Sequence, residues 1–237
     1  MFCLLLVSSP AAQAQLSRAA QEVWPSVDVY FRLNPNWRLY GTLAGTKLDE
    51  SSYADGAFGI FVDYFTFPLV LKQHRIHNDS LPGRFFWLRA GYQYSAAPPS
   101  SDDPFRENMI VTEANTRFFL PWQVMLTWKN RFDWRFSNGE FNGRYRPRIN
   151  IERDFRTEYL QFTAYAFAEY FLNFSQASVN RFRTQIGLEI RVSRIINYEV
   201  FWNHQFANNP EVSAVDAFGM TLKCYLSRKA KKSGSGG

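Results

Sequence analysis

The 237-residue chain has two cysteines, three histidines and no long unbroken apolar run. Each shortage excludes something. With Cys3 inside an N-terminal apolar segment, the mature chain keeps only Cys224, so neither an internal disulfide nor a cysteine metal site is expected. A membrane-spanning helix needs roughly 20 apolar residues in a row, and no segment supplies them. Excess charge is scarce too. The formal net charge is +6, but Arg228, Lys229, Lys231 and Lys232 lie in the last eleven residues, which hold no acid, leaving 23 basic against 21 acidic side chains elsewhere. A nearly balanced body gives no support to nucleic acid as a partner.

What the chain does have is alternation. In RYRPRINIER, Arg144, Arg146, Arg148, Asn150 and Glu152 fall on one parity, and Tyr145, Pro147, Ile149 and Ile151 on the other, the period of a strand with one charged and one apolar face. Residues 127–135 repeat this with Lys129, Arg131, Asp133 and Arg135 against Trp128, Phe132 and Trp134. Arg181, Arg183, Gln185 and Glu189 likewise oppose Phe182, Ile186, Leu188 and Ile190, and Glu169 and Glu199 sit on the polar parities of their own segments. Aromatic residues make up 18% of the chain, which suits the aromatic girdles of a membrane barrel. Mean hydropathy slightly below zero is no objection, because lipid-facing and lumen-facing residues cancel in the average.

Residues 1–14, MFCLLLVSSPAAQA, combine a short apolar run with Ala12 and Ala14 at the spacing of an A-x-A cleavage site, and read as a secretory signal cut before Gln15. Residues 15–226 read as one barrel domain, and 227–237 as a flexible basic Gly/Ser tail. Eleven alternating segments can be counted between Trp24 and Leu226, most near the 10 residues that a tilted strand needs to cross a bilayer. Short turns at 34–36, 120–121, 154–157 and 192–195 alternate with longer loops near 50, 100, 140, 176 and 210. Such asymmetry is that of outer-membrane barrels. The segment 68–83 has no clear period. An open sheet edge has no partner in a bilayer, so the strands must close. Since bacterial barrels have even strand counts, the expectation is an all-β antiparallel transmembrane barrel of about 12 strands, with 10 the second choice.

The segments WPSVDVYFRLNPNWRLY, RFRTQIGLEIRVSR and RYRPRINIER resemble the uncharacterised bacterial outer-membrane barrel family filed as domain of unknown function 2490. The resemblance spans most of residues 24–226 and implies a fold and an outer-membrane location, with no activity attached. The eleven residues after Leu226 depart from the terminal aromatic strand at which such barrels usually stop.

The candidate binding residues form a lumen charge network of Arg131, Asp133, Arg135, Arg144, Arg146, Arg148, Glu152, Glu169, Arg181, Arg183, Glu189 and Glu199. Two roles are open for it. Cross-strand ion pairs can fill and stabilise a narrow barrel, or rows of arginine can line a water-filled passage that prefers small anionic solutes. An outer-membrane lipid-modifying enzyme is the alternative, but a hydroxyl nucleophile needs a base in reach. Ser80 near His77 is a weak pairing, His74 reads as a loop residue, and His204 shares the lipid-facing parity of Trp202 and Phe206. Glu169 and Glu189 sit among arginines that keep carboxylates ionised, unlike a general acid. A soluble RNA-binding sheet fits poorly, because Tyr145 lies on the parity opposite Arg144 and Arg146 whereas stacking platforms need both on one face. The expectation is therefore a non-enzymatic, cofactor-free monomer whose partners are membrane lipid and small anionic solutes.

Overall fold

Residues 20–48, 54–66, 86–97, 105–175, 178–207 and 214–227 are described by the structure, a computed structural model. The expected signal segment, the 68–83 segment with His74, His77 and Ser80, and the tail beyond Ser227 lie outside them. Alternation produces eleven strands: β1 (Ala20–Arg32), β2 (Trp37–Leu48), β3 (Asp55–Phe65), β4 (Phe86–Ala96), β5 (Arg106–Leu120), β6 (Val124–Ser137), β7 (Glu140–Arg156), β8 (Gln161–Asn173), β9 (Ser178–Arg191), β10 (Ile196–Ala207) and β11 (Ala214–Ser227). They form one closed ring in which each strand pairs with its sequence neighbours and β1 meets β11.

Neither even count holds. β1 and β11 run toward the same end, and they pair in parallel from Ala20 opposite Val215 to Arg32 opposite Ser227. Every other neighbouring pair is antiparallel. An odd ring of up-and-down strands can close only this way, since its first and last strands point alike. Among the described residues, the backbone hydrogen bonds of both edges are thereby satisfied within the eleven-strand ring.

The strands are longer than the sequence reading allowed. Chain near residue 140 is no long loop: β6 runs to Ser137, β7 starts at Glu140, and only Asn138 and Gly139 lie between. Both have positive φ, 50° and 89°, the signature of a type I′ hairpin whose twist matches that of the flanking strands. The turn expected at 154–157 falls at 157–160, held by Thr157, which accepts from the Leu160 amide and donates to its carbonyl. The turns at 33–36, 121–123 and 192–195 agree with the reading.

Stagger is strong. Following register from Phe31 at the turn end of β1, the partners are Leu39, Val62, Ala90, Thr112, Phe132, Tyr145, Leu172 and then Val179 at the opposite end of β9. The strands therefore tilt steeply about the axis, as closure demands.

Side chains sort by parity. Outside, each strand exposes large apolar groups, among them Val27, Leu43, Ile60, Leu88, Ile110, Trp128, Ile149, Tyr170, Ile186, Trp202 and Phe218. Inside lie Asp63, Glu113, Asn115, Asp133 and Glu169, each at most 3% exposed. The interior also has an apolar part. Phe61, Met109 and Val111 pack together with Tyr40, and Phe65 packs on Trp87. Rings of Tyr225, Tyr30, Tyr40 and Phe61 stack across β11, β1, β2 and β3 at successive centroid distances of 4.9, 4.7 and 5.2 Å, which ties the parallel seam from within. Gly219 leaves room for a neighbouring ring on the same inner surface, since a Cβ there would lie 1.9 Å from Phe201.

The seam offers a direct check, because Val29 stands opposite Cys224 across it. In a chain lacking Cys3, Val29→Cys should form an oxidant-dependent disulfide with Cys224, seen as a mobility shift on non-reducing gels. Val27→Cys, opposite Leu222, should not. Equal cross-linking at both positions would contradict the parallel register.

Candidate functional site

The lumen network is built by register. One row of cross-strand neighbours reads Arg38, Asp63, Arg89, Glu113, Arg131, Arg146. The adjacent row continues Lys129, Arg148, Glu169, Arg183. Opposite charges so placed pair along and between rows.

Three buried carboxylates organise most of it. Asp133 accepts from Arg131 at 2.5 Å, from Arg144 at 2.8 Å and from Arg146 at 3.3 Å. Glu169 holds Arg146 at 2.9 Å, Arg148 at 3.0 Å and Arg183 at 3.3 Å. Glu113 lies 3.5 Å from both Lys129 and Arg131. Arg146 joins the two larger groups, one guanidinium nitrogen on each carboxylate, with Phe171 4.5 Å from its guanidinium carbon. Six cations thus share three carboxylates, and cation–π contacts such as Arg148 over Phe167 at 3.9 Å supply part of what full ion pairing would.

Not every expected residue joins this belt. Glu189 and Glu199 form a second cluster, clasping Lys223 at 2.6 and 3.0 Å, and Glu189 also accepts from Tyr225 and Asn197. Arg135 pairs with Glu107 near the long-loop end, and Arg181 is exposed at the same end of β9 without an ion pair among the described residues. Glu152 accepts from Asn150 at 2.9 Å. The sequence reading did not select Arg38, Asp63, Arg89, Glu113, Lys129 or Lys223. They share the inward parity; Lys129 heads the charged row of β6 and Glu113 shares β5 with Arg117, whereas Arg38, Asp63, Arg89 and Lys223 have no second charge within two positions on the inner face of their strands.

The belt leaves one part of the interior open. A cavity of about 510 Å³ is lined by Thr127 and Lys129 of β6, Arg148, Asn150 and Glu152 of β7, and Thr163 and Tyr165 of β8. In these strands the cavity residues lie toward the short turns, and Asp133, Arg144, Arg146 and Glu169 lie beyond them toward the long loops. Across the ring the lining includes Asp28, Glu189, Glu199 and Lys223. Belt carboxylates at 0 to 3% exposure are sealed from water, so the cavity is a recess beside the belt.

On the outer wall, His204 accepts or donates through Nδ1 to Asp216 at 2.6 Å and lies between Trp202 and Phe206. Thr184 is its register partner, but the Thr184 hydroxyl is directed to the His204 carbonyl at 3.5 Å. The geometry gives a polar pair on an apolar surface.

Removing one shared carboxylate strands several buried cations, which typically costs about 3–5 kcal/mol. Glu169→Gln should lose about that much in equilibrium denaturant unfolding of the folded barrel, whereas Arg181→Gln at the exposed mouth should stay within about 0.5 kcal/mol of the parent. Equal midpoints for Glu169→Gln and the parent would contradict the role given to the belt.

Comparison with known proteins adds a family and nothing further. No curated protein and no solved structure matches the chain. The family model described as protein of unknown function (DUF2490) matches residues 21–216, and the chain belongs to that family.

Proposed function

We propose that this protein is an integral outer-membrane barrel, non-enzymatic and monomeric, whose bonded interior makes it a structural barrel with a narrow solute recess in place of an open pore. One observation carries the reading: all eleven strands turn large apolar side chains outward and keep their buried charges inside. In water that arrangement is inverted. A soluble protein rarely exposes contiguous apolar patches beyond a few hundred Å², whereas a bilayer matches such a wall and accepts only closed sheets or helices. Strand lengths of 11 to 17 residues exceed what a tilted crossing needs. Rings cluster toward strand ends, as Phe155 on Phe162 near one end and Phe136 on Phe141 near the other, where aromatic girdles sit.

A second reading, passage of small anions, is favoured by the cation excess of the belt. In the sealed state that excess is already engaged, with Arg146 and Arg148 both held by Glu169. Permeation therefore requires the belt to part. Lipid modification has less support, since His204 faces outward beside Asp216 but Thr184 is not hydrogen-bonded to its ring.

Two measurements test this. The native chain should fractionate with outer membranes, stay insoluble without detergent, and migrate differently on gels before and after boiling. Planar-bilayer recordings should show no large steady conductance. Recovery of a folded chain from the soluble fraction would overturn the membrane reading, and porin-like steady currents would overturn the sealed interior.

A further inference from the structure

The recess beside the belt has walls of opposite charge. On the β5–β7 side stand Arg117, Lys129 and Arg148, with Glu152 the carboxylate among them, so this wall is positive by two charges; Lys129 and Arg148 are part of the cluster in which six cations share three carboxylates. Asn115 lies in register between Trp87 and Lys129, two cavity-lining residues, and is 0% exposed with neither its Oδ1 nor its Nδ2 partnered. A buried amide in that state is rare, and it stands directly behind the cavity wall as the register neighbour of Lys129. Facing this wall from β1, β9 and β10 are Asp28, Glu189 and Glu199, with Lys223 the cation between them. Asp28 is held by the neutral hydroxyls of Tyr30 at 3.2 Å and Tyr40 at 3.1 Å. Arg183 of β9 also lines that side and is engaged by Glu169 at 3.3 Å, so three carboxylates confront two cations there and the surplus is negative by one charge.

A lone anion gains from one wall and is repelled by the other. A molecule with both charges gains from each. We infer that the recess binds a small zwitterion, of the class of free amino acids and short peptides, with its carboxylate toward Lys129 and Arg148 and its ammonium toward Glu199, Glu189 and Asp28. The inference rests on the membrane-barrel reading for the orientation of these side chains. The volume of about 510 Å³ lies within the usual range for small-molecule sites. Tyr165 and Phe201 contribute apolar surface for the span between the charged ends.

The test uses the detergent-folded full chain and a panel of alanine, alanylalanine and trialanine, each also as its N-acetyl and C-amide derivative, with binding read by calorimetry. At least one free zwitterion should bind about tenfold or more tighter than both of its singly charged derivatives, since each lost end removes a charge-assisted contact. Glu199→Gln should weaken the zwitterion and the amide while sparing the acetyl form, and Lys129→Gln should do the reverse, weakening the zwitterion and the acetyl form. Both variants must keep the heat-dependent gel shift of the parent. Equal or tighter binding of the acetyl derivatives would make this an anion site, and no binding of any zwitterion by a folded barrel would remove the proposal while leaving the membrane reading intact. A chain that folds only without detergent would instead sink the membrane reading itself.

Discussion

The Arg146 guanidinium, held between Asp133 and Glu169, is the contact on which the interior depends. A barrel that turns its greasy residues outward has to fill its hollow with what is left, and here that is charge. Isolated ions out of water cost several kcal/mol each even after relaxation. Arginine lowers that cost because its planar fork reaches two carboxylates at once. Arg146 spends both ends this way, so β6, β7 and β8 are joined through one side chain. One run of such pairs joins Arg38 on β2 through Asp63 to Arg89 on β4, and a second reaches from Glu113 on β5 to Arg183 on β9, in keeping with the steep stagger that sets successive rows of residues obliquely across the lumen.

The remaining arc of the ring is held differently. From β11 through β3 the stacked rings of Tyr225, Tyr30, Tyr40 and Phe61 replace ion pairs across the parallel seam. The Arg38 guanidinium lies 4.6 Å from the Tyr30 ring centre and Arg89 lies 4.3 Å from that of Tyr40, so the aromatic and ionic parts touch. Between them the recess remains, with positive surplus on one wall and negative on the other. A transverse field of this kind favours a dipole over a single net charge, which is the basis of the zwitterion proposal.

Much of the fold was legible because a period of two survives every local exception. Parity alone put Arg144, Arg146 and Arg148 inside and Ile149 and Ile151 outside, and both placements hold. The direction of the first and last strands was legible too. What misled was the rule of even strand counts, which left no place for parallel closure. The Asn138-Gly139 hairpin was readable from its residue types but was absorbed into a supposed loop, because Glu140 and Phe141 continue the strand with mixed polarity. Partner choice was not legible at all. Which carboxylate meets which arginine depends on register, and a shift of one residue between β7 and β8 would move Glu169 to the outer face. That is also why Asp63, whose inward neighbours on β3 are Phe61 and Phe65, gave no signal by itself.

Site-directed spin labelling along β7 bears most directly on the central claim that charge points into the hollow and hydrocarbon meets the apolar face. In lipid bilayers, labels at Ile149 and Ile151 are expected to be relaxed strongly by oxygen, which concentrates in the acyl region, and labels at Arg148, Asn150 and Glu152 only weakly. High oxygen accessibility at 148, 150 and 152 with protection at 149 and 151 would show the strand turned the other way round, and the account would be wrong.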